Sequence, residues 1–229
     1  MSGCSRGAIV HPVAAADPSV LSAEELRLPT EQRLLLAAER LFAAQGIGSV
    51  SLRSVMAAAE ANTAAVHYHF GSKDELVAAL LRDRTEEMHR RRLELIQDAR
   101  ERGEPTVRDV AEVLVRPILD TVAEGGADYV RVLGELLTRP DAVPGLRAAF
   151  SVQEADWDRM YAEARPDLAA GVRAFRIGQA IALAVRVLGD ADGYTSWLAE
   201  RGTEADRRGL YAVVLAAVAG LLDGPQSLD

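Results

Sequence analysis

The stretch from Ser51 to Leu76, SLRSVMAAAEANTAAVHYHFGSKDEL, constrains the fold more than any other part of the chain. Ser51 is placed to cap a helix, with Val50 and Val55 at the N′ and N4 positions of a hydrophobic staple. Asn62 is placed to cap a short helix from Thr63 to Phe70, and Ser72 with Glu75 spells a capping box for the next one. Upstream, Thr30 is expected to cap a helix over 31–45. Its Leu34, Leu35, Ala38, Leu41 and Phe42 share one apolar face, and Gly46 closes it. Two short helices across a tight turn, supported by a longer one, make the layout of a helix-turn-helix. That unit lays its second helix in the major groove of DNA.

The side chains sort themselves accordingly. On the short helix, Val66 and Phe70 lie one turn apart and are expected to pack back onto Leu52, Val55 and Ala59. Thr63, Ala64 and His67 then occupy another face. Helix N-termini at Ser51, Asn62 and Ser72 offer backbone N–H groups to phosphates, and Arg53 and Lys73 add two full charges. His67 and His69 do not suggest a metal site, because residues two apart on a helix diverge by about 200°. No metal or cofactor is expected.

Residues 30–76 resemble the N-terminal domain of the TetR family of bacterial transcriptional repressors. The likeness rests on Leu41-Phe42, Gly46, Arg53, Val55, Ala59, the run Val66-His67-Tyr68-His69-Phe70, and Ser72-Lys73-Asp74-Glu75-Leu76. The resemblance implies that Thr63, Ala64 and Ala65 face bases and that His67 reaches bases or backbone. It assigns Ser51, Arg53, Tyr68, His69 and Lys73 to phosphates. It also implies a homodimer that spans a palindromic operator and answers to a small molecule, which either releases or promotes DNA binding.

Two positions depart from the family pattern. Glu60 stands in the turn where the family usually has Gly; a positive φ there would cost about 1–2 kcal/mol. Met56 replaces a small residue at the helix crossing. Charge matters too. Arg33, Arg40, Arg53 and Lys73 stand against Glu31, Glu39, Glu60, Asp74 and Glu75, so the segment 30–76 is not basic. The reading face also lacks Arg, Asn or Gln for bidentate base contacts, so methyl contacts to thymine and DNA shape are expected to carry selectivity.

Beyond residue 76 the chain reads as helix throughout, near 73–100, 106–123, 127–138, 146–164, 167–189 and 203–222. Residues are 49% hydrophobic and only 5% aromatic, with Ala, Leu, Glu and Arg dominant, a composition that favours helix over strand. We therefore expect an all-α protein in three parts. Residues 1–29 form a flexible tail; 30–88 form the three-helix DNA-binding domain, with its helix-turn-helix near 51–70; 89–229 form a larger helical domain for ligand binding and dimerisation. A net charge of −8 argues against a protein that coats nucleic acid non-specifically. Cys4 is the only cysteine, and the longest apolar run, Leu210 to Leu222, falls short of the ~20 residues of a membrane span. A cytoplasmic location with no membrane partner is expected.

Within the larger domain, Phe150, Trp157 and Tyr161 recur at helical spacing as pocket wall or core, and Phe175, Arg176 and Gln179 are candidates beside them. Small residues four apart, Ala174, Gly178 and Ala182, then Ala212, Ala216 and Gly220, suit two helices that approach a twofold copy. Arg90-Arg91-Arg92, flanked by Glu86, Glu87 and Glu94, reads as a solvated face. Two other classes compete: an all-α enzyme, for which no acid–base or nucleophile set is evident, and a protein-binding module. Salt-dependent binding to a specific duplex separates the three.

Overall fold

The computed structural model describes residues 21–62, 68–138 and 146–225; side chains at 83, 138 and 146–154 fall outside the description. Among the described residues every regular element is helical: α1 (Thr30–Gln45), α2 (Leu52–Ala58), α3 (Lys73–Arg102), α4 (Val107–Ala123), α5 (Ala127–Thr138), α6 (Leu146–Ala164), α7 (Ala170–Gly189), α8 (Ala191–Ala199) and α9 (Arg207–Leu222). The all-α reading holds. No helix among these residues is long and apolar enough to cross a membrane.

Local chemistry sets most of the boundaries. Ser51 Oγ accepts from the Ser54 N–H at 3.1 Å, and Ser72 and Glu75 complete the expected capping box. Gly46, at φ 81°, turns the chain out of α1 while its N–H still bonds to Phe42 O at 2.8 Å. Thr30 differs from expectation: it is the first residue of α1, Pro29 precedes it, and its hydroxyl accepts from Arg33. Proline at that junction fixes φ and so supplies the helix start without a side-chain cap. Thr106 with Asp109, and Asp206 through Gly209, cap α4 and α9.

Residues 21–29 are tied down, where a loose tail was expected up to 29. Leu21 is buried, and Glu25 meets the Arg40 guanidinium through both carboxylate oxygens, at 2.5 and 3.1 Å. Arg40, together with the Ser22 N–H, holds the Glu25 carboxyl down at about 2.

Helix α8 is the one described helix beyond residue 76 that the sequence reading left out. Gly189, Asp190 and Gly193 look like turn punctuation, yet the chain breaks only at Asp190, φ −125° and ψ 45°, and resumes as helix. Helix α3 runs 30 residues without interruption, so the expected boundary at 88/89 falls inside a continuous element. Its first turns pack against α1, and its later turns against α4 and α6. Helix α5 bridges similarly, lying between α1 and α7. Helix α7 also packs on α4 and α9, which closes the core of the larger part.

Candidate nucleic-acid interface and interior cavity

Helix α2 is pinned by Val55 and Ala59, both with no exposed surface, while Arg53 on its outer side is exposed. Val50 is buried as the other half of the staple, and Met56 is half-buried against the core. At the α2 exit, Glu60 has φ 48°, so the strained conformation expected of that turn is present. Of the expected DNA-contacting residues, Thr63, Ala64, Ala65 and His67 lie outside the described residues. Tyr68 is 85% exposed. His69 stacks edge-on against Tyr68 at 5.1 Å and lies 3.7 Å from the Glu31 carboxylate. Asn62 is exposed at the turn before the undescribed segment.

Lys73 occupies a more specific place than a surface cation. Its ammonium donates to the carbonyls of Ile47 and of Val50, the latter at 2.6 Å, and sits 5.8 Å from the Phe42 ring centroid. Glu135 of α5 takes the same loop from the other side, accepting the Ile47 N–H at 2.9 Å. The loop that delivers Ser51 and the N-terminus of α2 is thus held by α3 and α5 together.

Glu60→Gly relieves about 1–2 kcal/mol of left-handed strain but adds about 0.5–1 kcal/mol of unfolded-state entropy. We expect Tm to rise by no more than about 2–4 °C. Glu60→Ala keeps the strain and removes the charge, so it should leave Tm nearly unchanged. Both variants should raise duplex affinity a few-fold. A Glu60→Gly variant that melts below Glu60→Ala would show that the strain is absent, since only the entropy of Gly would then remain.

In the larger part, α3, α4, α5, α6 and α7 enclose a cavity of about 50 Å³. Met88, Ile118, Leu133, Leu137 and Ile181 form its apolar wall; Thr85, Arg92, Tyr129 and Trp157 supply its polar groups. Arg92 is a correction to the sequence reading. Arg90 does face solvent, paired with Glu87 and Glu94, and Arg91 pairs with Glu94 and Asp120. Arg92 instead points inward, 5% exposed, with its guanidinium 4.6 Å from the Trp157 ring centroid. The signal was present in the spacing: Leu81, Thr85, Met88, Arg92, Ile96 and Ala99 mark one buried stripe of α3.

Other candidates fall elsewhere. Trp157 lines the cavity, but Tyr161, four residues on, is fully buried and donates to Leu222 O at 2.6 Å. Arg176 is buried because it caps the end of α9, donating to Leu222 O and Gly224 O at 3.0 Å each and to Pro225 O. Phe175 is 65% exposed and Gln179 is exposed as well, so neither faces the interior. The side chain of Phe150 lies outside the described residues. Ala174, Gly178, Ala212, Ala216 and Gly220 are exposed and Ala182 is half-buried, on two helices that pack side by side.

Residues 34–80 match the family described as bacterial regulatory proteins, tetR family. No curated protein matches the chain. Among solved structures, Salmonella enterica GusR is similar at 21% identity and a TM-score of 0.48, over 86% of this chain and 97% of that one.

Proposed function

We propose, on the premise that residues 34–80 carry the DNA-binding domain of the tetR family, that this protein is a homodimeric repressor released from a palindromic operator by a small molecule. The family match over those residues carries the reading. The exposed Arg53 and Tyr68 and the open N-terminus of α2 suit phosphate contacts on one side of the domain. Two copies would place their reading helices in successive major grooves, about one turn or ~34 Å apart. The protein acts as a regulator, with DNA, a second copy and a small effector as its partners.

Helix α5 supplies the route from effector to operator. One of its faces brings Tyr129, Leu133 and Leu137 to the cavity, and from another Glu135 grips the Ile47 N–H. A ligand that displaces α5 therefore shifts the loop that orients α2. Couplings of this kind amount to about 1–3 kcal/mol.

Selection from a random duplex library, followed by affinity against salt, tests the DNA reading. A short, two-fold operator with steep salt dependence is expected; failure to enrich any duplex would sink it. Glu135→Ala should then weaken operator binding several-fold with the mass in solution unchanged, since it removes the acceptor of the Ile47 N–H and loosens the loop. An unaltered affinity would rule out the α5 route.

A further inference from the structure

We propose that the interior cavity is a site for a small monocarboxylate with an apolar body, anchored by Arg92. The inference rests on the regulatory reading only in calling that molecule the effector; the site itself stands on the geometry of the cavity.

Arg92 Nε and Trp157 Nε1 are buried and have no hydrogen-bond partner among the described residues. Thr85 Oγ1 and Tyr129 OH lie 2.9 Å apart and share one bond, which uses the proton of only one of them. The second hydroxyl proton remains to be given. The unmatched groups of this cavity are therefore donors, and the molecule that satisfies them must be an acceptor.

Charge narrows the class. No carboxylate pairs with Arg92 among the described residues; its one described partner is the face of Trp157. Burial lowers Arg92 to about 10, which leaves it protonated at neutral pH. An unpaired buried cation is expensive, and a carboxylate meets the planar guanidinium fork two-point. One guanidinium, one indole N–H and one hydroxyl match the lone pairs of a single carboxylate; a phosphate dianion would need more. The rest of the wall is aliphatic or thioether and the space is about 50 Å³, so the body of the ligand is apolar and no longer than one or two carbons.

The open groove lined by Arg131, Glu135, Arg186, Asp190 and Trp197 mixes both charge signs and selects no ligand.

The test uses the full chain carrying Trp197→Phe, so that Trp157 is the one remaining tryptophan. Titration with formate, acetate and propionate is compared with titration by their primary amides, followed by Trp157 emission and calorimetry. Saturable carboxylate binding is expected, with the amides at least tenfold weaker. Arg92→Met should abolish the carboxylate preference. It should also raise the Tm of the ligand-free protein by about 2–4 °C, because it removes an unpaired buried charge and keeps the volume. Amides binding as well as acids, no binding across the panel, or a lowered Tm in Arg92→Met would each overturn the site. Operator affinity measured in the same samples separates the two readings. Carboxylates that bind without moving operator affinity would leave the site standing and remove its effector role. Operator release by the amides alone would keep the regulator and remove the anion site.

Discussion

Gly178→Trp and Gly220→Trp should each weaken operator binding by on the order of 10²–10⁴-fold, the avidity lost when two linked half-site contacts become independent. The magnitude follows from where the two glycines lie. A Cβ built at either meets nothing within 4 Å in the single chain, so a large side chain costs the monomer fold little. Around them the surface of α7 and α9 is apolar and uncovered, with Phe175 65% and Val213 60% exposed among alanines. Exposed apolar area of that kind on paired helices suits a self-complementary, twofold contact. Four helices, two from each copy, would close over it. The small residues at Ala174, Ala212 and Ala216 would then let the backbones approach. Sedimentation should show a dimer for the parent protein and a monomer for both variants, with unchanged Tm for each at low concentration. Parent-like mass and operator affinity in both variants would exclude this face.

The parts of the molecule that sequence anticipates are those governed by neighbours in the chain. Ser51, Ser72 with Glu75, Gly46 and the positive φ of Glu60 each depend on a few adjacent residues, and each lies as expected. What escaped depends on distant packing. Arg92 reads as one of three surface arginines until α4, α5 and α6 cover that side of α3. Arg176 reads as a pocket cation, but its carbonyl partners lie more than forty residues away, at and just past the end of α9. Phe175 and Arg176 are also adjacent on a helix, about 100° apart, so one cavity was never well placed to hold both. Helix α8 escaped for the opposite reason: its start looks like a loop because Gly and Asp are shared by turns and helix N-termini.

Lys73→Ala should lower both stability and operator affinity, whereas Arg53→Ala should lower affinity alone. The difference comes from what each side chain touches. Arg53 is exposed, so its removal costs at most its phosphate contacts. Lys73 donates to two loop carbonyls, which its loss leaves part-buried and unsatisfied. Such groups cost about 1–3 kcal/mol, and a domain of this size loses roughly 2–4 °C in Tm for each kcal/mol. Loosening the loop also frees Ser51 and the α2 N-terminus from their fixed place, so affinity should fall by on the order of 10- to 100-fold. An ammonium has three N–H donors, and the third remains available for a phosphate. If it is used there, Lys73→Ala also flattens the dependence of log affinity on log salt by about one unit per subunit, as Arg53→Ala should. The two measurements are independent. Unchanged Tm in Lys73→Ala would refute the clasp on the loop, and an unchanged salt slope would refute the phosphate contact. Lys73→Arg should retain the charge but fit the two carbonyls poorly, since a planar fork replaces a compact point charge. It should therefore keep the salt slope while losing part of the Tm.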